Sequence, residues 1–345
     1  MTDMTFYTLA DSDFFVGTVA LLNSLRLTGN NGELVVLDCG LDDAQRRALA
    51  PHATLVPLPD GVVQRKTLLK PYVHEVARPG ILVWVDSDVI VTQRLEEVAT
   101  HARSGKLCFH SVDDLNQRSR SFPQWVHEFG LASPLRRQTY LSAGFFALDA
   151  VRWRNLLERW STICTAIPPE RVFGPDMRDP LWAGDQDALN ALLMSEVPAD
   201  AVEELPAREA VFPPDMHRVS VTDGDGLTAL HDGAPVALLH YTWVPKPWTA
   251  RAWGRIPNMR RDAYVRLLPR VLFADDVRLR LEPALVPPWL RPGPAGRLAL
   301  EGIVLGKRLR AAAAAVVRWL PAGLRATLMG WRDRIDPPER GRPNR

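Results

Sequence analysis

The sequence predicts an α/β fold, a mostly parallel central sheet with helices on both faces, and three observations carry that expectation. Short apolar runs alternate with helical-period segments from Thr5 to Val91, the rotation that builds such sheets. A hydrophobic fraction of 46% over 345 residues supplies a sizeable core. The apolar run Ile81 to Val91 is interrupted by Asp86-Ser87-Asp88, and ligands of these sheets bind beyond the carboxyl ends of strands.

The elements follow in order. Thr5 to Ala10 reads as a strand, Phe14 to Leu27 as a helix with Val16, Val19, Ala20 and Leu25 on one face, and Leu34 to Asp38 as a strand. A helix is expected over Asp42 to Ala50 with Asp42 as its cap, then a strand at Thr54 to Leu58, a helix at Lys66 to Val76 and the strand ending at Asp86. Beyond a strand at Leu107 to Val112 the rotation loosens, and the polar, aromatic stretch Asp113 to Gln138 reads as a functional loop or short helices over a site. Leu141 to Leu148 returns as a strand, Val151 to Ile167 and Gln186 to Leu193 as helices, and Val236 to Tyr241 as a last strand. Prolines 168, 169, 175 and 180 mark an irregular connection, and a second cluster between Pro283 and Pro294 lies in a region without strand signal. About 150 residues per domain allows one large domain with an appendage or two domains, and the end of strand signal near Trp253 divides the chain into a main domain over 1–255 and a basic, Pro-rich helical extension over 256–345.

Two carboxylates two residues apart at the end of a buried strand point the same way. Beside a core they require neutralisation. A divalent cation neutralises hard oxygen ligands directly, and with only two protein carboxylates it keeps positions open for phosphate oxygens. Asp86 and Asp88 therefore read as a nucleotide-binding or phosphoryl-handling site, with a solvated strand-end turn as the alternative.

Four further segments carry polar groups at element ends. Leu9-Ala10-Asp11-Ser12-Asp13-Phe14 places acceptors and an aromatic where a base and ribose could dock, or where Asp11 or Asp13 caps a helix. Ser142-Ala143-Gly144 interrupts an apolar strand with small residues, permitting close approach by a ligand or marking a bulge. Gly184-Asp185-Gln186-Asp187 opens a helix, where capping competes with function. His240 to Trp248 ends the last strand with an imidazole and, at Lys246, an ammonium suited to phosphate.

The succession of Leu9-Ala10-Asp11, Lys70, Asp86-Ser87-Asp88, Ser142-Ala143-Gly144, Asp185-Gln186-Asp187-Ala188-Leu189-Asn190 and His240 to Trp248 resembles the family 8 retaining nucleotide-sugar glycosyltransferases, the group of glycogenin and the bacterial lipooligosaccharide galactosyltransferases. The resemblance covers Thr5 to Trp253 and implies a GT-A-type fold. It implies Asp86, Asp88 and His240 as ligands of a divalent ion, Mn2+ or its substitute Mg2+. Ala10, Asp11, Asp13 and Phe14 would meet the base and ribose of a UDP-hexose. Ser87, Ser142 and Ala143 would border the donor. Lys70 and Lys246 would neutralise diphosphate charge, and Asp185 and Gln186 would lie beside the anomeric carbon. Two positions depart from the family pattern: Ser142 stands where Asn is usual, and Trp243 where a Gly approaches the phosphates. Competing expectations are a catalytically inactive sugar-nucleotide-fold module and an aspartyl-phosphate phosphatase, whose nucleophile also follows an apolar strand.

Charge divides the chain. From Ala250 to Arg345 there are 20 Lys and Arg against 8 Asp and Glu, net +12, while the remainder carries 22 against 32, net −10. A basic tail on an acidic body implies an anionic partner. The helical pattern from Arg297 to Leu320, with Trp319 near its end, suits a membrane surface, with a helix packed by its apolar face on the body as the alternative, and no nucleic acid is expected. The family resemblance, not the charge pattern, implies a glycan or lipid-linked saccharide as acceptor. Three separated cysteines, no visible signal peptide and no long apolar run lead to the expectation of a cytoplasmic protein, peripheral on the inner face of the cytoplasmic membrane.

Overall fold

A computed structural model describes residues 4–58, 65–112, 120–222, 227–249 and 259–318. Its first half follows the expected rotation: β1 (Met4–Ala10), α1 (Phe15–Leu27), β2 (Glu33–Asp38), α2 (Asp43–Leu49), β3 (Thr54–Pro57), α3 (Val73–Val76), β4 (Ile81–Val85) and β5 (Val89–Val91). Asp42 caps α2 in a full capping box with Gln45, an arrangement worth about 1 kcal/mol. The helix expected from Lys66 to Val76 is a 3-10 helix over Lys66–Tyr72 followed by the single turn of α3. Pro71 lies inside that 3-10 segment and has no N–H to continue an α ladder.

The second half contains α4 (Glu96–Arg103), β6 (Leu107–Ser111), α5 (Trp125–Glu128), β7 (Leu141–Asp149), α6 (Arg154–Ala166), α7 (Asp185–Ser195), β8 (Val202–Leu205), β9 (Ala210–Val211), β10 (Val219–Val221), β11 (Ala229–His231), β12 (Ala234–Pro235), β13 (Leu238–His240), α8 (Ala263–Phe273) and α9 (Gly293–Arg318). Of the stretch read as a loop over the site, residues 113–119 lie outside the described residues, and α5 is its helix.

The main sheet has the order β3-β2-β1-β4-β7-β6-β8. Pairs β1/β2, β1/β4, β2/β3 and β6/β8 are parallel, while β7 runs antiparallel to both β4 and β6. Strand alternation divides the core into two layers. Ile81, Val83 and Val85 of β4 face one layer with α1, α4 and α8; Leu82 and Trp84 face the other with α6 and α7. A small second sheet, β5-β13-β9, sits beside the first layer. β10, β11 and β12 form a third sheet.

Part of the segment read as an extension shares the main core. Asn23 of α1 donates to the carbonyls of Val271 and Leu279 at 2.7 and 2.8 Å, and Val286, Trp289 and Leu290 are buried with α8. Ile303 of α9 is buried, whereas Leu298, Leu305 and Leu309 are 71%, 58% and 62% exposed. Trp319 and Leu320 lie outside the described residues.

Candidate active site

The convergence of Asp86 and Asp88 does not arise from strand alternation. β4 stops at Val85, and Asp86 to Asp88 form the turn into β5, closed by the Val89 N–H donating to the Asp86 carbonyl at 3.1 Å. That turn passes from the large sheet to the small one, where β13 lies antiparallel to β5 with His240 opposite Val89. Ligand atoms of Asp86, Asp88 and His240 lie within 4.8 Å of one another. His240 Nε2 is 3.1 Å from Asp88 Oδ1 and 3.8 Å from Asp86 Oδ2.

Two glycines make this approach sterically feasible. A Cβ on Gly144 of β7 would collide with the His240 imidazole and lie 3.1 Å from Asp86 Oδ2. A Cβ on Gly17 of α1 would collide with the Ser87 carbonyl and come within 2.6 Å of the Trp248 ring. The Gly17 contact was invisible in sequence, because nothing in α1 announces a loop packed on it.

Buried lysines clamp both carboxylates. Lys246 Nζ donates to Asp88 Oδ2 and to the Tyr241 carbonyl, each at 2.6 Å. Lys70 Nζ lies 3.0 Å from Asp86 Oδ1 and 3.2 Å from Asp185 Oδ2, and donates to the Ala143 carbonyl at 2.9 Å. Trp84 Nε1 holds Asp86 Oδ1 at 2.8 Å. Burial raises the Asp88 pKa, but the Lys246 ammonium and His240 outweigh it and hold the carboxyl well below the usual range. Burial disfavours the charged form of Lys70, and Asp185 and Asp86 reverse that, holding the ammonium above its ordinary value. Asp185, with burial only partly offset by Lys70, is raised to about 6.

These groups open into a cavity of about 900 Å3, lined also by Asp11, Phe14, Ser87, Ser142, Gln186 and Trp243. Asp11 caps the turn before α1 by accepting the Phe14 N–H at 3.1 Å and pairs with Lys66, so capping and a place in the cavity coexist. Gln186 Oε1 accepts the Ala143 N–H at 3.0 Å, which fixes the start of α7 against β7. Three residues expected to contact the donor are not among those that line the cavity. Ala10 is fully buried and Asp13 is exposed, and neither lines the cavity. Ala143 is buried and enters through its backbone rather than its side chain. The Asp13 carbonyl instead accepts from Trp248 Nε1 at 2.7 Å. Lys66, Thr67, Phe173, Trp182 and Phe212 are lining residues that no motif marked.

The donor set suits a metal of the Mn2+ kind. Asp88 Oδ1 is buried and faces the His240 imidazole, 3.1 Å away without hydrogen-bond alignment, and two carboxylates with one imidazole are ligands appropriate to that ion.

No family profile and no curated protein matches the sequence. Structure comparison gives a different result. The galactosyltransferase LgtC, in complex with donor and acceptor sugar analogs, matches with a TM-score of 0.51 at 19% identity, covering 79% of this chain and 98% of LgtC. The fold is that of the GT-A glycosyltransferases. An active-site mutant of LgtC matches at TM-score 0.53 and 17% identity over the same shares of the two chains. The bifunctional glycosyltransferase WbbM, in its apo structure, matches at TM-score 0.52 and 14% identity over 80% of this chain and 50% of WbbM. The match agrees with the fold expected from the sequence, and in this chain the cavity spans the ends of β1 and β4 and the start of α7.

Proposed function

We infer that this protein is a metal-dependent, retaining glycosyltransferase that moves a hexose from a nucleotide-diphosphate sugar, a UDP-hexose, to a glycan or lipid-linked saccharide. The observation that carries the reading is the meeting of Asp86, Asp88 and His240 in one cavity with two buried lysines on a GT-A fold. Asp86, Asp88 and Asp185 oppose Lys70 and Lys246 there, three carboxylates against two ammonium groups. Such a site repels a diphosphate. A divalent cation held by Asp86, Asp88 and His240 would reverse the sign of the site and supply electrostatic stabilisation to the leaving diphosphate.

The chain's own residues do the rest. Lys70 and Lys246, each fixed by a carboxylate and a carbonyl, present positive charge without reorganising. Asp11 and Phe14 take the base at the end of β1. Gln186, positioned by the Ala143 N–H, offers a carbonyl oxygen to the electron-poor anomeric carbon. An acceptor attacking from the face the nucleotide leaves retains configuration, and a departing phosphate oxygen serves as base.

Trp243 favours a second reading, an inactive binding module, because a half-buried indole lines the cavity where the family has Gly. The phosphatase alternative has no support from a GT-A fold. The deciding experiment incubates the protein with UDP-, GDP- and ADP-sugars in Mn2+ or EDTA and follows nucleotide release and product anomer by NMR. Mn2+-dependent release with retained configuration is expected. Binding without release from any donor establishes the module instead, and an inverted product removes the retaining mechanism.

A further inference from the structure

This inference rests on the nucleotide-sugar reading and concerns the opposite end of the same cavity. We propose that Phe173 and Trp182 form an aromatic platform on which a pyranose ring of the saccharide acceptor stacks.

Both side chains line the cavity, with ring centroids 5.2 Å apart and planes at 88°. Phe173 is 48% exposed although it is large and apolar. Its φ of 51° lies in the left-handed region, which costs a bulky residue on the order of 1 kcal/mol or more and persists only where the surroundings impose it.

The surroundings do impose it. The Phe173 N–H donates to the Trp182 carbonyl at 2.7 Å, and Trp182 Nε1 donates to the Gly174 carbonyl at 2.9 Å. Arg120, which chelates the buried Asp187 at 2.6 and 2.8 Å, also donates to the carbonyls of Met177 and Asp179. Arg171 grips the Asp179 carboxylate with two bonds, and Trp125 Nε1 holds the Pro180 carbonyl at 2.6 Å. Trp182 is half-buried with the Arg120 guanidinium 6.0 Å from its ring centroid, so the exposed Phe173 ring is the open part of the platform, and an aromatic fixed this firmly is pre-organised to receive a ligand.

Its position selects the ligand. Trp182 precedes Asp185 and Gln186 by three and four residues, beside β7, whereas Asp11 and Phe14 stand at the end of β1. β4 separates those strands in the sheet, so the carboxylates of the turn after β4 lie between the two ends. A donor with its base at Phe14 and its diphosphate at the lysines directs its sugar toward Gln186, and the next ring meets Phe173 and Trp182. Pyranoses carry a C–H face that packs on the electron-rich face of an aromatic ring while their hydroxyls stay at the edge.

The test uses saturation-transfer NMR on the full chain with UDP, diamagnetic Mg2+ and a mixture of lactose, maltose and cellobiose. Phe173→Ala and Phe173→Gly are compared with the wild type, the glycine variant because it adopts a positive φ without strain. Saturation of pyranose C–H protons in the wild type, with binding weakened roughly five- to tenfold in both variants and UDP signals unchanged, is expected. Undiminished saccharide signals in both variants, or none in a wild type that binds UDP, overturn the platform alone. UDP signals lost in the variants reassign the pair to the nucleobase. A wild type that does not bind UDP overturns the nucleotide-sugar reading and the acceptor site with it.

Discussion

His240 packs against Gly144 with no room for a side chain between them. Gly144→Ala must displace the imidazole or the Asp86 carboxylate, and disturbing the support of a ligand typically costs ten- to a hundredfold in metal affinity. Titration of Mn2+ by electron paramagnetic resonance is expected to show that loss with the fold retained by circular dichroism. Wild-type Mn2+ affinity in this variant would exclude His240 as a ligand.

Asp88→Asn is expected to lower metal-dependent transfer at least a hundredfold, and His240→Ala to lower it less, since water replaces one neutral ligand. The structure adds a stability effect. Lys246 loses its buried partner in Asp88→Asn, which destabilises by about 3 kcal/mol, and adding Lys246→Met restores part of it. Urea melts of the single and double variants read this out. Equal stability of Asp88→Asn and wild type would show that the pair contributes nothing.

How much of this was readable beforehand depends on separation along the chain. Asp86 and Asp88 stood out because an apolar run cannot absorb carboxylates silently, and Asp42 was legible as a cap ahead of a helical pattern, although its reciprocal bond with Gln45 emerged only in the structure. Lys246 and Asp88 are 158 positions apart, and only the resemblance brought them together. The strand read over Val236 to Tyr241 contains β13, but its membership of a separate sheet β5-β13-β9 escaped notice because β5 and β9 are three and two residues long, too short for a period of two to register. α4 and α8 were missed although both bury an apolar face. α8 begins after a buried Asp262 that reads as an ordinary surface charge.

That residue yields a pH prediction. Asp262 caps α8 by accepting the Val265 N–H at 3.0 Å, yet burial raises its pKa from 3.8 to about 6. The folded state therefore binds more protons between those values, and this group's contribution to stability rises as pH falls from about 6 toward 4. Asp262→Asn keeps the cap and removes the buried charge. The variant should exceed the wild type by about 3 kcal/mol at pH 8, with the advantage shrinking through pH 6 and gone near pH 4. Thermal melts across that range check it, and a gap independent of pH would contradict a raised Asp262.

Leu298, Leu305 and Leu309 are exposed on α9 and share one face at spacings of seven and four residues. No helix among the described residues is long and apolar enough to cross a membrane. We propose instead that α9, flanked by basic residues of the tail, lies on an anionic bilayer, where each Lys or Arg adds roughly 1 kcal/mol. The truncation must fall beyond Ile303, since Val286, Trp289, Leu290 and Ile303 are buried in the core. Vesicle co-sedimentation of the full chain should exceed that of a form ending at Gly306 and weaken with salt. Equal, salt-insensitive binding of the two, or none by either, would sink the membrane assignment.

The candidate ligands sit at a seam. Asp86 hangs from the end of β4 in the large sheet, while Asp88 immediately precedes β5 and His240 ends β13 of the small one, so their spacing gauges how the two sheets are joined. Substitutions that loosen α8, whose Tyr264 ring packs 5.4 Å from that of Tyr241 beside His240, or its contact with Asn23, should therefore announce themselves first as weakened ion capture, before the chain loses its overall shape.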